Sequence, residues 1–340
     1  MRVRIVCYED VDGWILGKFA RRLCDHVRQQ GVTADISKTP DPSADINHHI
    51  IYYDYDGTRN SIDTVMITHI DTEGKLQRVK SQLVNAEMAI CMSSQTMRSL
   101  TDSAVPRAKL CFVNPAHDGL VKPRKLVVGI TSKVQPTGCK RENLLAQLAD
   151  YISPTDFKFS IMGSGWDAIV DGLRGRGIEV DYCDHFDSDA YRLLMPNLDY
   201  YLYFGQDEGS MGFLDALTAG IETIVTPQGF HLDAKDGIVF AFNEIDELAS
   251  IFHSIAEKRK RLTSAVDSWT WSAYARKHLL IWQYLLWRKE GRSLTPEMRR
   301  ELTSHGVALN LSVAAIQTLM YRCVQKARRV AFHSLPAMWK

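Results

Sequence analysis

The chain has 340 residues, enough for two domains of ordinary size, and its 45% hydrophobic and 24% charged content is typical of a soluble globular protein. Its formal net charge of +1 excludes a strong overall attraction to nucleic acid or to a membrane surface. The seven cysteines stand singly, without a CxxC pair, which favours reduced thiols in a cytoplasmic protein over a disulfide framework or a zinc site. No apolar run is long enough for a transmembrane helix, and the N-terminus enters a predicted strand directly, without a visible signal peptide.

Short apolar runs alternate with segments of helical periodicity in the first half of the chain. The predicted strands are 2–8, 33–37, 47–53, 64–68, 88–92 and 110–113. The predicted helices are 14–29, 75–85 and one that starts at 95–101. This alternation is typical of a parallel, doubly wound sheet.

The same pattern restarts after a linker at 122–125. The predicted strands are then 126–131, 157–162, 178–182, 201–204 and 223–226, with helices at 141–152 and 213–220. From residue 245 the chain is mostly helical, and 269–289 carries aromatic residues at helical spacing. We therefore predict an N-terminal Rossmann-like domain at 1–121, a second one at 122–268 and C-terminal helices at 269–340, the first of which crosses back to the N-terminal domain.

The stretch 201–233 contains the most informative pattern of the chain. An apolar run, YLYF, ends in an acidic, glycine-bearing loop at 205–212, and a helix follows. A helix N-terminus offers unpaired backbone N–H groups and the positive end of the helix dipole, so it favours a phosphate. Acidic side chains beside such a phosphate-binding site indicate a ligand with hydroxyls as well as phosphates, as in a nucleotide-sugar.

Four motifs in this order resemble those of retaining glycosyltransferases of the GT-B fold, group 1 (family 4-like). The helix DALTAG carries Asp215, and Asp207 precedes it with seven residues between the two. This pair is similar to the family's paired acidic residues, and Glu208 is an alternative first acid. The segment CMSSQTMRSL is followed by VPRAKLCFVNPAHD, in which Asn114 and Asp118 hold the ends of a family turn. VVGITSKVQPTGCKREN resembles the first loop of the second domain, although Lys133 and its neighbours replace the family arginine, and FSIMGSGWD resembles a glycine-bearing strand end.

The resemblance spans residues 1–290 and implies an α/β fold of the GT-B type. Two Rossmann-like, doubly wound parallel-sheet domains would face a cleft, with a helical C-terminal tail. It further implies a retaining, metal-independent, hexosyltransferase-type enzyme that moves a sugar from a nucleotide-diphosphate donor. The acceptor would be a glycan or a lipid-linked molecule in polysaccharide biosynthesis. The resemblance implies no cofactor and no nucleic-acid partner.

The resemblance also implies roles for individual residues of the second domain. Lys133 and Lys140, in the loop after the first strand, would bind the donor diphosphate, as would the backbone amides of Ser210, Met211 and Gly212. Asp215 would accept hydrogen bonds from the ribose hydroxyls, and Asp207 or Glu208 would contact sugar hydroxyls near the reacting carbon. Gly163 and Gly165 mark the predicted nucleobase region.

Further candidates lie in the first domain. Gly13 follows the first strand and would let its loop approach the diphosphate. His69 follows the strand 64–68 and is a candidate catalytic residue, with Asp71 and Trp14 on the acceptor side. A strand-end histidine with a purely structural role is the alternative for His69.

Metal binding is not favoured by the sequence. Three DxD triplets occur, at 10–12, 54–56 and 187–189, a number close to chance, and Asp54 with Asp56 is the best candidate pair among them. His48 and His49 lie inside a predicted strand, so they should point to opposite faces of the sheet and form a poor metal clamp.

The C-terminal tail is basic, since no acidic residue follows Glu301 and 307–320 is apolar with helical spacing. Two interpretations stay open: an amphipathic helix in 302–340 lying on the inner face of an anionic membrane, or a helix packed on the protein body. Two alternative functions also stay open. A nucleotide-sugar epimerase of the same fold would use His69, Asp71 and His117, and a catalytically inactive nucleotide-sugar-binding subunit would explain the missing loop arginine.

Overall fold

A computed structural model describes residues 1–57 and 61–309 of the protein. The chain divides into two compact units, one formed by residues 1–119 with the segment from 268 onward, and one formed by 120–267. The division into 1–121, 122–268 and 269–340 stays a prediction, because the compact units group the C-terminal segment with the first sheet.

Strands and helices alternate through both units. The strands are β1 (Arg2–Val6), β2 (Thr33–Ser37), β3 (Ile46–His49), β4 (Asp63–Ile67), β5 (Met88–Cys91), β6 (Leu110–Phe112), β7 (Leu126–Thr131), β8 (Phe157–Met162), β9 (Glu179–Cys183), β10 (Tyr200–Tyr203), β11 (Glu222–Val225) and β12 (Phe240–Ala241). The helices are α1 (Ile15–Gln29), α2 (Glu73–Gln82), α3 (Ser94–Asp102), α4 (Asn143–Leu148), α5 (Asp167–Gly175), α6 (Ser188–Leu194), α7 (Met211–Thr218), α8 (Ile245–Ser264), α9 (Trp271–Glu290) and α10 (Pro296–Ser304).

Each unit contains one parallel six-stranded sheet, which confirms the predicted α/β class with two doubly wound sheets and C-terminal helices. The first sheet has the order β2-β1-β3-β4-β5-β6, and the second, read from its other edge, has the order β9-β8-β7-β10-β11-β12. The strand order reverses beside β1 and β3 in the first sheet and beside β7 and β10 in the second. Ligands of open α/β sheets bind in the crevice outside the carboxyl ends of strands at such switch points.

Two predicted elements are shortened by several residues relative to the sequence pattern. The strand predicted at 47–53 ends at His49, because the carboxamide of Gln82 donates to the carbonyls of Tyr52 and Tyr55 and holds the chain in a turn there. The helix predicted at 141–152 covers Asn143–Leu148 only. Arg141 has a positive φ of 45° and therefore cannot continue a helix.

Arg141 has a structural role that explains this conformation. Its guanidinium donates to the carbonyl of Phe204 at 2.8 Å, to the carbonyl of Asn243 at 2.6 Å and to the hydroxyl of Thr226 at 2.8 Å. Burial lowers the pKa of Arg141 from its usual value. The side chain thus ties the ends of β10 and β11 to the loop before α8.

The helix α9 completes the core of the first unit by packing on α1. Phe19 of α1 meets Trp271 edge-on, with 5.2 Å between ring centroids, and the indole of Trp271 donates to Asp118 at 2.8 Å. Leu302 and Val307 are buried in the same core, so the chain belongs to this unit at least to that point. The part of the predicted tail at 310–340 lies outside the described residues.

Candidate functional site

The start of α7 lies beside the switch point of the second sheet. Ser210 precedes the helix, and its hydroxyl bonds the Tyr201 hydroxyl at 2.7 Å. The Ser210 amide donates to Nε2 of the buried His231 at 2.9 Å, so it is engaged within the protein, and its role toward a phosphate stays a prediction. The amides of Met211 and Gly212 have no hydrogen-bond partner within the described part of the chain, and they remain available at the positive end of the helix.

The acidic loop before α7 is held by an ion pair. Lys140 Nζ lies 2.6 Å from Asp207 Oδ2 and donates to the Tyr203 hydroxyl, which in turn donates to Asp207 Oδ1 at 2.6 Å. Burial alone would raise the pKa of Asp207, but hydrogen bonds from Lys140, Tyr203 and the Gly209 amide lower it. Burial and the carboxylate raise the pKa of Tyr203. Asp207 is therefore an ionised, internally bonded carboxylate, whereas the neighbouring Glu208 is exposed.

A cavity of about 460 Å³ opens at the carboxyl ends of β7, β8 and β9, next to the start of α7. Five residues predicted from the sequence line it: Lys133, Gly163, Met211, Gly212 and Asp215. The other lining residues are Thr131, Ser132, Met162, Ser164, His185, Phe186 and Tyr191. The cavity thus combines one exposed cation, two unpaired amides and one carboxylate, which are the groups that a phosphate and a diol require.

Five predicted residues of the second unit are not among those that line this cavity: Lys140, Gly165, Asp207, Glu208 and Ser210. Lys140 faces Asp207 instead, and a Cβ on Gly165 would lie 2.9 Å from Val134. Gly163 lines the cavity, but its positive φ and its close contact with the carbonyl of Ser132 are required by the protein's own packing. Neither glycine needs a ligand to explain it, so the nucleobase region stays a prediction.

Sequence reasoning did not find the aromatic wall of this cavity. The Tyr191 hydroxyl donates to Asp215 Oδ2, and the ring of Tyr191 lies 5.4 Å from that of Phe186. Burial and the Asp215 carboxylate raise the pKa of Tyr191, so the phenol stays protonated and keeps its hydrogen bond. The only available indication was position, since Phe186 follows β9 and thus lies at the carboxyl edge of the sheet.

In the first unit, His69 and Asp71 lie in a groove of about 500 Å³ between the starts of α2 and α3. Lys75 Nζ lies 2.7 Å from Asp71 Oδ1 and 3.2 Å from His69 Nε2. The hydrogen bond from Lys75 lowers the pKa of Asp71. Both predicted residues are exposed and share one cation, so the groove presents a mixed-charge edge that can bond hydroxyls.

The loop between β1 and α1 carries the other predicted residues of this unit. Gly13 closes a turn by donating its amide to the Asp10 carbonyl at 3.2 Å, and Trp14 directly precedes α1 with 76% of its surface exposed. Asp12 of the first DxD triplet pairs with Arg21 at 2.7 Å. In the third triplet, the carboxylate of Asp187 accepts hydrogen bonds from the backbone amides of residues 189 and 190 and caps α6.

A second polar chain, which the sequence did not indicate, lies at the switch point of the first sheet. The Tyr8 hydroxyl is 3.0 Å from His49 Nδ1, and His49 Nε2 is 3.4 Å from Asp63 Oδ1. Burial and the carboxylates of Asp56, Asp54 and Asp63 raise the pKa of Tyr8 to about 12. His48 and His49 point to opposite sides, as predicted, since His48 packs on Trp282 and His49 on Tyr55.

The described residues form no group of three or more histidine, cysteine or acidic side chains that could hold a metal ion. Over the same residues, no helix has the length and apolar character needed to cross a membrane.

Comparison with solved structures finds the lipopolysaccharide outer core galactosyltransferase WaaB in its apo form, 12% identical over 81% of this chain and 97% of that chain, with a TM-score of 0.33. HepE from Anabaena, solved with UDP and glucose, is 12% identical over 86% of this chain and 100% of that chain, with a TM-score of 0.32. Sucrose-phosphate synthase from Thermosynechococcus elongatus is 12% identical over 84% of this chain and 98% of that chain, with a TM-score of 0.34. Neither a protein-family model nor a curated protein matches the sequence.

Proposed function

We propose that the protein is a glycosyltransferase that binds a nucleotide-diphosphate sugar in the cavity at the start of α7. The observation that carries the proposal is the joint presence of Lys133, the free amides of Met211 and Gly212, and Asp215 around one cavity beside a strand-order switch point. The sequence motifs that resemble retaining GT-B glycosyltransferases support the same assignment.

The chemistry of sugar transfer explains these groups. When the bond between the sugar C1 and the phosphate oxygen breaks, negative charge grows on the diphosphate. Preorganised N–H donors and a cation stabilise that charge, and removing one such donor typically raises the barrier by about 3–4 kcal/mol. Lys133 and the two amides would supply this stabilisation, and Asp215 would accept hydrogen bonds from the ribose.

The two acidic residues of the preceding loop take different parts in this proposal. Asp207 is engaged by Lys140 and Tyr203, so it shapes the loop and holds the ammonium of Lys140 at the carboxyl edge of the sheet. Glu208 is exposed, and its carboxylate is free to contact sugar hydroxyls. Glu208 is therefore our choice for the acid near the reacting carbon.

The finer features of the reaction follow from the family resemblance. We propose a retaining, metal-independent transfer of a hexose to a glycan or lipid-linked acceptor in polysaccharide biosynthesis. In front-face transfer the leaving phosphate accepts the proton of the acceptor hydroxyl, so no separate base is assigned. His69 and Asp71 in the groove of the first unit are the proposed acceptor-side groups.

Thermal-shift screening against UDP-, GDP-, ADP-, CMP- and dTDP-sugars tests the proposal. A true donor at 100 times its Kd should stabilise the protein by about 2.7 kcal/mol. The Asp215→Asn variant removes the charge of the proposed ribose-binding carboxylate and should lose most of this shift. Absence of any shift in the unmodified protein across the whole panel would refute the proposed function.

Product analysis with the binding donor then separates the predicted alternatives. Mass gain on an acceptor glycan identifies a transferase, free sugar with free nucleotide identifies an epimerase-type hydrolysis, and unchanged donor identifies a binding subunit.

A further inference from the structure

Three arginines surround a small cavity beside the C-terminal end of α9. The cavity has a volume of about 140 Å³ and is lined by Arg288 at the end of α9, Arg292 in the loop that follows and Arg299 of α10. The other lining residues are Tyr284, Leu294 and Leu309, so its lining contains no acidic residue. This cavity belongs to the first unit, whereas the proposed donor cavity belongs to the second.

The protein neutralises these guanidinium groups only in part. Arg288 Nη2 lies 2.7 Å from Glu87 Oε2, and Arg292 Nε lies 2.8 Å from Glu290 Oε2. Arg299 is exposed and forms no ion pair with any residue in 1–57 or 61–309. Like charges around one small cavity repel each other, and an anion between them removes that repulsion. The charge distribution therefore favours a bound anion.

A buried tyrosine adds an unpaired hydroxyl to the same cavity. Tyr284 has only 6% of its surface exposed, and its hydroxyl makes no hydrogen bond to another described residue. The guanidinium of Arg288 lies over its ring, 5.5 Å from the ring centroid. Because buried polar groups normally have a hydrogen-bond partner, this hydroxyl needs one from the cavity, either water or a ligand that accepts its proton.

The donors around the cavity match a phosphate group. Guanidinium N–H groups and a phenol hydroxyl all donate, so their ligand must present several acceptor oxygens. A phosphate group offers three strong acceptor oxygens, and a guanidinium bonds two of them in parallel. The cavity has about 140 Å³ against about 460 Å³ for the cavity at α7, so it accommodates a single phosphate group and not a whole nucleotide.

We propose that the three arginines and Tyr284 form a phosphate-binding site distinct from the donor cavity. This inference goes beyond the proposed function and does not depend on it. Free phosphate and the headgroup phosphate of an anionic lipid share the chemistry that the site recognises. The apolar lining residues Leu294 and Leu309 are compatible with both sources, so the experiment has one arm for each.

The first arm is isothermal titration of the full chain with inorganic phosphate. Arg299→Ala should weaken binding by about 10- to 100-fold, because it removes charge-assisted hydrogen bonds. Tyr284→Phe leaves the charge unchanged and should weaken binding by about 2- to 10-fold. The matched control is Arg300→Ala, which removes an exposed arginine beside Arg299 that does not line the cavity, and it should bind phosphate within about twofold of the unmodified protein.

The same titrations in a Lys133→Ala background separate this site from the cavity at α7. The loss caused by Arg299→Ala should be unchanged there, because Lys133 belongs to the other unit. A loss that disappears in this background would assign the phosphate to the α7 cavity and overturn the inference.

The second arm is co-sedimentation with phosphatidylcholine vesicles that contain or lack phosphatidylglycerol. If the lipid headgroup is the ligand, Arg299→Ala should reduce binding to the anionic vesicles more than Arg300→Ala does. If free phosphate is the ligand, the two variants should sediment equally and still differ in the titration. Equal behaviour of the two variants in both arms overturns the inference, and so does failure of the unmodified protein to bind either probe.

Discussion

Lys140 and Asp207 form an ion pair with 2.6 Å between Nζ and Oδ2, and the Tyr203 hydroxyl bonds both partners. The lysine comes from the loop after β7 and the aspartate from the loop after β10, which are the two strands at the switch point. The pair therefore joins the two loops between which a ligand of this sheet would bind. The sequence assigned Lys140 and Asp207 to different parts of a ligand. In the structure the two residues share one structural role.

A double-mutant cycle should detect this coupling. Lys140→Met and Asp207→Asn should each lower the free energy of unfolding by about 1–3 kcal/mol, because each leaves a partly buried polar partner unsatisfied. The double variant should lose less than the sum of the two, with a coupling energy of about 1 kcal/mol, measured by urea denaturation. Arg192→Met, which removes an exposed pair with Asp189, should change stability by less than about 0.5 kcal/mol. Additive losses would contradict a direct role of the ion pair.

Gly212→Ala should damage the start of α7. A Cβ at this position would lie 2.2 Å from the Thr131 hydroxyl and 2.3 Å from that of the fully buried Tyr201. We expect a loss of about 1–3 kcal/mol in unfolding free energy from overpacking. Gly172→Ala in α5 is the control, since its nearest atom is 3.6 Å away and an alanine inside a helix should stabilise by up to about 1 kcal/mol. Equal stability of the two variants would argue against this account.

Lys133→Ala tests the phosphate end of the cavity. If the ammonium stabilises the leaving diphosphate, the variant should lower kcat by about 100- to 1000-fold with the identified donor. Nucleotide binding should weaken as well. The difference in affinity between the variant and the unmodified protein should shrink as the salt concentration rises, because exposed charges are screened. Lys235→Ala, an exposed lysine that does not line the cavity, is the matched control. Comparable kcat values for the two variants would remove Lys133 from the mechanism.

Two buried histidines should make the first unit sensitive to acid. His48 and His278 are fully buried, with 5.1 Å between ring centroids, and the Nε2 atom of each has no hydrogen-bond partner among the described residues. Burial, with smaller contributions from His278 and His49, holds the pKa of His48 well below its usual value. Burial lowers the pKa of His278 to about 4. The hydrogen bond to the Tyr274 carbonyl raises this pKa, and the charges of His305 and Lys277 lower it.

Because the unfolded chain binds these protons near pH 6.5 and the folded chain does not, stability should fall as the pH drops from about 6.5 toward 4. Each histidine contributes at most about 1.4 kcal/mol per pH unit in this window. Urea unfolding of the protein and of His278→Phe between pH 5 and 6.5 measures the slope. The variant should show a smaller slope, and parallel slopes would show that His278 is not the titrating group.

The basic tail is tested by liposome flotation of the full chain and of a form that ends at residue 309. Truncation at 302 would remove Val307 and interrupt α10 at the buried Leu302, so the later end point keeps the first unit intact. If the tail binds an anionic surface, only the full chain should float with anionic vesicles. Each well-placed cation should contribute about 1 kcal/mol to the free energy of membrane binding. Flotation should disappear with neutral vesicles. Equal recovery of both forms in the soluble fraction would support the packed-helix alternative.

Local sequence patterns were sufficient for the elements whose side chains repeat regularly. The strands predicted at 33–37, 126–131 and 157–162 have the same bounds in the structure, because β-branched and apolar runs bounded by polar turns need little tertiary information. The alternation of strands and helices likewise predicted two doubly wound sheets. The prediction of a helix over 141–152 was wrong in its bounds. Contacts of Arg141 with residues 63 to 102 positions away override the local helical preference of this segment.

The sequence by itself determined the element order, the helix start that favours an anion and the set of charged residues at strand ends. Only the tertiary structure decided which of these residues meet: Lys140 is bound to Asp207, Lys133 and Asp215 share a cavity, and Phe186 with Tyr191 forms its aromatic wall. The physical reason is that side-chain partners across a parallel sheet come from loops separated by whole strand–helix units. Their pairing therefore depends on strand order and register, which local propensity does not encode.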